Sequence, residues 1–241
     1  EGVETLGYYL FQDCKNLKEL FIPASVRWIR FPIISGCSRL TSIKVDKDNR
    51  KFDSREDCNA IMDKFYGRAD KLLAGCSTTV ILPSVRTIGN SAFNGSGITE
   101  LVLPPTVTKI ESAAFWNCKN LKSVTIPSSV TMIEGNPFAD CVSLSSIKVS
   151  EENTVYDSRE DCNAIIETNT HKLISCSLGT SIPPTVKTIG DQAFCGGETD
   201  IVIPKGIKRL KEGVFSDCSR LKSVTLPAGV SKIDECVFSK D

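Results

Sequence analysis

The chain has 241 residues, with 29 basic and 29 acidic side chains, 41% hydrophobic residues, 11 cysteines and a single histidine. The balanced charge offers no attraction for polyanions, which argues against nucleic-acid binding, and the apolar runs are far shorter than the roughly 20 residues of a membrane span. One histidine leaves few ways to build a zinc, haem or acid-base centre, so we expect no enzyme, no catalytic residue and no cofactor.

Prolines that end short apolar runs divide the chain into repeats. Pro83, Pro104 and Pro127 are followed by a second set of three, each 100 residues further along the chain. In chain order the repeats are 3–23, 26–45, 85–104, 107–127, 130–149, 186–204, 207–227 and the incomplete 230–241. A unit of this size cannot bury its own apolar face, so we expect the repeats to stack into a solenoid in which each unit contacts its neighbours.

The repeat 107–127 shows the pattern most clearly. Val124 and Ile126 alternate with polar residues, which predicts a short strand with its apolar side inward, and Pro127 ends the strand. Phe115 and Cys118, three residues apart, fit a single helical or 3₁₀ turn. The sequence therefore predicts an α/β fold of short parallel strands and short helical or 3₁₀ turns.

Cysteine recurs at one repeat position, three residues after Phe or its substitute. The members of this column are Cys14, Cys37, Cys118, Cys141 and Cys218. Neighbouring rungs are close enough for a disulfide, but side chains stacked in register point the same way, so we expect buried thiols and no systematic disulfides. Cys195 and Cys236 lie off the column and should react first. No C-x₂-C pair exists, so we expect no zinc site and a solvated His171.

Two longer units, 46–83 and 150–183, interrupt the repeats. Both contain the nonapeptide D-S-R-E-D-C-N-A-I, at Asp53–Ile61 and Asp157–Ile165. We expect each unit to add a hairpin at the edge of the stack, with loops at 64–70 and 168–171. Asp, Ser and Asn side chains commonly bond to nearby backbone, which favours a structural role for the nonapeptide.

A cation or ligand site is the alternative for these insertions. Asp46 and Asp48 resemble the start of a calcium loop, but the glycine and the distal glutamate are missing. The second copy, Ser150–Asn153, does not keep the ligand spacing. The structural interpretation is therefore favoured, and no metal site is expected.

The pattern V-x-x-I-x-x-x-A-F-x-x-C-x-x-L-x-x-V-x-I-P resembles the BspA-like leucine-rich repeats of surface proteins from anaerobic gut and oral bacteria. The insertions resemble those of Bacteroides-type members. The resemblance implies a leucine-rich-repeat solenoid, a curved right-handed superhelix, in a secreted or surface-anchored protein with adhesion suggested for some members. It implies no catalytic residues. Because the chain enters and leaves in mid-repeat, we expect residues 1–241 to form a single solenoid that is incomplete at both ends.

With the inward positions filled, binding must use outward positions that vary between repeats. On the strands these are Phe21, Lys44, Val102, Thr125, Lys148, Val202 and Thr225. Trp28 and Trp116 occupy positions that are mostly polar or small in other repeats, and are candidate anchors unless each folds over a neighbouring loop. The sequence favours recognition of a host or neighbour-cell protein or glycan over a passive spacer in a longer surface protein.

Overall fold

The computed structural model describes residues 2–64, 70–195, 200–216, 218 and 220–238, which contain twenty strands and two 3₁₀ segments. The strands are β1 (Thr5–Leu6), β2 (Glu19–Ile22), β3 (Trp28–Ile29), β4 (Ser42–Val45), β5 (Phe52–Asp53), β6 (Ala60–Asp63), β7 (Lys71–Gly75), β8 (Thr87–Ile88), β9 (Lys109–Ile110), β10 (Ser123–Ile126), β11 (Met132–Ile133), β12 (Ser146–Val149), β13 (Tyr156–Asp157), β14 (Ala164–Glu167), β15 (Lys172–Cys176), β16 (Thr188–Ile189), β17 (Asp200–Val202), β18 (Arg209–Leu210), β19 (Ser223–Thr225) and β20 (Lys232–Ile233).

Most repeats contribute one strand to each of two parallel rows. The first strand row consists of β1, β3, β8, β9, β11, β16, β18 and β20, which are two residues long. The second strand row consists of β2, β4, β10, β12, β17 and β19, and includes the segment that the sequence predicts as a strand before proline. Pairs of these strands are parallel and in register, for example Val124 with Ile147 and Ile88 with Ile110. The stack of repeats expected from the sequence is therefore present.

Columns of identical side chains fill the interior. Phe115 stacks between Phe93 and Phe138, with ring centroids 5.1 and 5.3 Å away. The thiols of Cys118 and Cys141 donate to the carbonyls of Phe93 and Phe115, at 3.0 and 3.1 Å. The phenylalanine of one repeat thus receives the thiol of the next, and the expectation of buried thiols in this column is confirmed at Cys37, Cys118 and Cys141.

The α/β assignment is wrong, because the middle of each repeat is a turn and not a helix. Several of these turns contain two residues with left-handed backbone, such as Ala113 and Asn117 with φ of 54° and 59°, and a right-handed helix cannot pass through them. In the part of the chain that the structure describes, 3₁₀ geometry is confined to Arg55–Asp57 and Arg159–Asp161. The fold is a β-solenoid with almost no helix among the described residues.

One disulfide joins neighbouring repeats, between Cys195 and Cys218, whose Cα atoms are 4.6 Å apart. The argument from parallel side chains does not apply to this pair, because Cys195 follows Phe194 directly whereas Cys218 lies three residues after Phe215. The prediction that Cys195 reacts first is wrong, because its sulfur atom is in the disulfide and is not a free thiol. The exposed thiols are those of Cys14 and Cys236, of which only Cys236 was expected.

The two inserted units belong to the stack and do not stand apart from it. Within them β6 is antiparallel to β5 and β7, and β14 is antiparallel to β13 and β15. Their last strands then pair in parallel with the next repeat, β7 with β8 and β15 with β16. Of the two predicted loops, 64–70 includes residues 65–69, outside the described residues, and 168–171 lies between β14 and β15.

The turns in the middle of successive repeats, such as the one that contains Ala113 and Asn117, stack into a column of turns. An inserted unit supplies no turn to this column. The turns on either side of it therefore bond directly to each other: the Gly36 N–H donates to the Asn94 carbonyl at 3.0 Å, and the Asp140 N–H to the Cys195 carbonyl at 2.5 Å. The side of the molecule made by turns is consequently continuous across each insertion, although the sequence between them is long.

Candidate functional site

Five of the predicted site residues lie on the outer side of the second strand row. Phe21 is opposite Lys44, Thr125 is opposite Lys148, and Thr225 is opposite Val202. All six side chains are exposed, because the alternating pattern of each strand sends Leu20, Val124 and their equivalents into the core. Phe21 and Val202 have 59% and 67% of their surface accessible, and Val102 has 80%.

Trp28 lies on the first strand row, opposite Thr5, and not with the other candidates. Its side chain is 62% exposed, and the Lys51 ammonium lies 5.8 Å from the centre of its ring. This distance allows a cation–π contact. Exposure and separation from the second strand row together make Trp28 an isolated aromatic residue on a different surface.

Trp116 belongs to a third location, the column of turns. It is half-buried, and its indole N–H donates to Asp140 Oδ2 of the next repeat at 3.1 Å. The hydrogen bond fixes the ring against the neighbouring turn. The seven predicted site residues are thus divided among three surfaces, and the structure brings together only the five on the second strand row.

The first strand row is crossed by ion pairs that sequence analysis missed. Lys71 Nζ lies 2.8 Å from Glu111, Lys109 Nζ lies 2.7 Å from Glu134, and Arg209 lies 2.6 Å from Asp234. Burial acts to raise the pKa of Glu111, but hydrogen bonds from Lys71 and from the Asn90 N–H outweigh it and the pKa is lowered. These charges are used between repeats, so this row is a poor candidate for binding a charged ligand.

The shared nonapeptide makes the same contacts in both inserted units. Ser54 Oγ accepts the Val45 N–H at 2.9 Å, and Ser158 Oγ accepts the Val149 N–H at 2.8 Å. Each arginine pairs with the aspartate two residues before it, Arg55 with Asp53 and Arg159 with Asp157. The peptide therefore bonds to the second strand row of the preceding repeat, as its structural interpretation requires.

Its backbone explains why the residue types recur. Glu, Asp and Asn of each copy have left-handed φ, at 53°, 50° and 49° in the first copy and 57°, 50° and 59° in the second. Such values are costly for residues with a Cβ, and Asn and Asp tolerate them best. His171, expected to be solvated, is instead half-buried with Nδ1 3.0 Å from Arg159 Nη1.

The segment that resembled a calcium loop has its asparagine occupied by backbone. Asn49 Nδ2 donates to the carbonyls of Pro23 and Val26 at 2.9 and 3.0 Å, and its Oδ1 accepts the N–H groups of Lys51 and Phe52 at 2.9 Å. Asn153 makes the equivalent four bonds in the second unit. Every donor and acceptor of the amide is used, which leaves it no lone pair for a cation.

The described residues contain no group of three or more His, Cys, Asp or Glu arranged to hold a metal ion. No helix found in them is long and apolar enough to reach across a lipid bilayer. Sequence analysis did miss a concave region of about 440 Å³ over the turns that include Trp116. The signal for it was glycine at 36 and 95, a position that is Asp13, Asn117, Asp140 and Asp217 in other repeats and glycine again at 196.

Comparison with known proteins supports the repeat assignment. The family profile of the BspA type leucine-rich repeat region matches six copies, over residues 1–59, 70–174 and 164–241. A search of curated proteins gave no match.

Solved structures share the fold at low sequence identity. A leucine-rich repeat protein from Eubacterium ventriosum aligns with 98% of this chain and 68% of its own, at 18% identity and a TM-score of 0.58. The pneumococcal vaccine antigen PcpA aligns with 92% of this chain and 55% of its own, at 20% identity and a TM-score of 0.58. A leucine-rich cell surface protein from Faecalibacterium prausnitzii aligns at 19% identity over 99% and 82% of the two chains, with a TM-score of 0.48.

Proposed function

Because the chain belongs to the BspA-type leucine-rich repeat family, we propose that it is a non-catalytic recognition module that binds a host or neighbour-cell protein or glycan. The family is a repeat scaffold for interaction, and no catalytic family is indicated by the matches. We further propose that residues 1–241 act as one solenoid, located at the cell surface or secreted.

The observation that carries the proposal is the outer side of the second strand row. Phe21 and Val202 expose large apolar side chains there, and so does Val102, which follows Leu101, the bridge partner of Val124 in β10. Lysines and threonines of the other repeats lie between them. Each of these apolar side chains lies among polar neighbours, which is the arrangement of an apolar anchor with a polar surround in an interface. A row of strands offers a broad, flat contact rather than an enclosed pocket, which suits a macromolecule.

The surface location is supported by one solved relative and by the disulfide. One of the solved structures with this fold, PcpA, is a pneumococcal vaccine antigen. Cys195 and Cys218 are bonded, and disulfides persist mainly outside the reducing cytosol. The repeat stack itself would serve a passive spacer equally well. A spacer would not, however, need the exposed side chains of Phe21 and Val102.

The test is binding to cultured epithelial monolayers, measured as a saturable isotherm with fluorescently labelled protein. Thr125→Glu with Lys148→Glu places two carboxylates at the centre of the second strand row, and we expect at least about tenfold weaker binding. Lys187→Glu, an exposed residue outside the second strand row, is the matched control and should stay within about twofold of the parent.

Treatment of the monolayer with protease or with glycosidase then distinguishes a protein partner from a glycan. Binding that never saturates, or an isotherm that the double variant leaves unchanged, would contradict recognition through this row and favour the spacer.

A further inference from the structure

We propose that the column of turns carries a second binding site, a hollow that accepts a neutral oligosaccharide. The proposal deepens the recognition role above by naming a ligand class, but it uses a different surface of the molecule. The hollow crosses five successive turns of the first half of the chain, has a volume of about 440 Å³ and is lined by Tyr9, Gln12, Asp13, Asn94, Trp116 and Asn117, among others.

The length of the hollow follows from how the turns stack. Backbone N–H groups of Asp13, Gly36, Gly95 and Asn117 each donate to a carbonyl of the next turn, at 2.8 to 3.0 Å. At about 4.8 Å for each step, the four steps from Asp13 to Asp140 extend over roughly 19 Å. The inserted unit 46–83 does not interrupt the series, because Gly36 bonds directly to Asn94. The site is therefore long and narrow, as a chain of sugar rings requires.

Two glycines make the surface concave. The position before the column cysteine is Asp13, Gly36, Gly95, Asn117 and Asp140 in successive turns, and all five have left-handed φ between 56° and 76°. A Cβ on Gly95 would lie 2.6 Å from the backbone of Gly36, and one on Gly36 would overlap the Asp13 carboxylate. The floor of the hollow can thus hold no side chain, while Asp13 at one end and Asn117 and Asp140 at the other form its walls.

The chemistry of the walls selects the ligand class. Sugar hydroxyls both donate and accept hydrogen bonds, and the amides of Gln12, Asn94 and Asn117 do the same, while the carboxylate of Asp13 accepts. Tyr9 is 52% exposed, and Trp116 is held by its bond to Asp140, so both supply aromatic surface for the apolar side of a sugar ring.

The charge of the hollow excludes anionic ligands. Asp13 and Asp140 are acidic, and among the described residues that line the hollow none is Lys or Arg. The two carboxylates repel a phosphate, sulfate or sialic acid, and no cationic side chain among these described residues offsets them, which favours a neutral glycan. In addition Ser35 Oγ, within this wall, is buried with no hydrogen-bond partner in the described part of the chain.

The second half of the chain provides an internal comparison. The matching turns form a concave region lined by Asp191, Lys211, Glu212 and Ser216, with no aromatic residue among its described lining. That lining includes one amide, Gln192, so among the described residues it is the aromatic side chains and the three amides together that distinguish the hollow of the first half.

The test is calorimetric titration of the whole chain with linear neutral hexasaccharides of glucose, mannose, galactose and xylose, with sialylated and sulfated oligosaccharides as the counter-panel. We expect at least one neutral hexasaccharide to bind with a Kd below about 1 mM, and the anionic ones to bind at least about tenfold more weakly. In a Trp28→Phe background the remaining tryptophan reports on the hollow, and its emission should change on binding.

Gln12→Ala with Asn94→Ala removes two amides from the walls without touching the core, and should weaken binding at least about tenfold. Asn120→Ala, an exposed amide that does not line the hollow, should stay within about twofold. No heat with any neutral sugar, a preference for anionic sugars, or equal loss in both variants would overturn the proposal. Sugar binding that is abolished by Thr125→Glu with Lys148→Glu, but not by Gln12→Ala with Asn94→Ala, would place the glycan on the second strand row. That result would overturn the hollow as the glycan site and leave the proposed recognition function standing.

Discussion

The two inserted units share nine identical residues and differ around them, and the structure separates what is fixed from what is free. In both units the serine of the nonapeptide accepts a backbone N–H of the preceding strand, the arginine pairs with its aspartate, and a buried asparagine upstream bonds to two earlier carbonyls. The constraint felt by both copies is therefore the bonding of an irregular segment to the repeat before it.

Their packing partners differ. Phe52 packs edge-on to Phe31 in the first unit, whereas its counterpart Tyr156 accepts the Ile133 N–H through its hydroxyl at 2.8 Å. Gly75 of the first unit corresponds to Cys176 of the second. Each donates its backbone N–H to the carbonyl of the alanine before the column phenylalanine, Ala92 and Ala193 respectively. Side chains that fill space can thus change, while those that satisfy backbone groups cannot.

The largest expected effect is loss of the buried asparagine. Asn49→Ala or Asn153→Ala leaves two carbonyls and two N–H groups without their partners, and each variant should lose about 3 kcal/mol in the free energy of unfolding. Urea denaturation of both variants measures this, with the exposed Asn120→Ala as control within about 0.5 kcal/mol. If only one of the two variants is destabilised, the two asparagines do not play equivalent roles in bonding the inserted units to the preceding repeats.

The next effect tests the unit-specific packing. In Gly75→Ala the new Cβ would lie 2.6 Å from Cζ of Phe93, so the ring must move, and we expect a loss of about 2 kcal/mol. Cys176→Ala at the matching position only removes a sulfur atom and should cost about 1 kcal/mol. Thermal unfolding of the two variants should therefore give a lower Tm for the first. The reverse order would show that Phe93 has room to move.

A smaller effect is expected at the aromatic pair. Tyr156→Phe removes the acceptor of the Ile133 N–H and should cost about 1 kcal/mol. The reciprocal Phe52→Tyr places a hydroxyl at the equivalent position, 23 residues after Ile29 as Tyr156 is after Ile133, and should cost less than Tyr156→Phe or stabilise. Equal destabilisation by both substitutions, measured in urea, would mean that the hydroxyl is not what distinguishes the two units.

The smallest effect belongs to the arginines, whose ion pairs are partly exposed. Arg55→Ala and Arg159→Ala should each lower the unfolding free energy by about 1 kcal/mol or less, with the larger loss at Arg159 because it also contacts His171. An unchanged melting curve for both variants would instead favour a ligand-binding role for the nonapeptide.

The pH dependence sharpens this prediction at Asp157. Burial acts to raise its pKa, but the hydrogen bonds from Arg159 outweigh it and the pKa lies below the ordinary value. A lowered pKa stabilises the folded state above the unfolded pKa of about 3.9, and that contribution is lost as the pH falls through the folded pKa. The difference in stability between the parent and Arg159→Ala should therefore be constant near pH 6 and shrink below about pH 4.

The sequence predicted the repeats, the inward columns and the exposed strand positions, because each depends on a spacing that recurs. It did not predict the turns, because Ala113 and Asn117 have left-handed φ that neither residue type requires, and apolar residues three apart then suggested a helix. The disulfide was not predicted, because its two cysteines occupy different repeat positions.

The candidate sites were predicted only in part. Trp116 was recognised alone, whereas the hollow around it depends on Gly95 and Gly36, which lie one and two turns before it. The structural role of Asn49, next to the calcium-like Asp46 and Asp48, was not predicted, because the two carbonyls that its amide binds lie 26 and 23 residues before it. Contacts between different repeats are the part that spacing within one repeat cannot supply.

The most direct test of the stacked core that includes both insertions is thiol labelling of the native protein, mapped by mass spectrometry. Cys58 and Cys162 of the nonapeptide are buried, and burial raises the pKa of both thiols, that of Cys162 to about 11, so little thiolate is present at pH 8. We predict rapid modification of Cys14 and Cys236, with Cys58, Cys162, Cys118 and Cys141 all protected until the protein unfolds. Modification of Cys58, Cys162 or the column thiols at the rate of Cys14 would contradict the account.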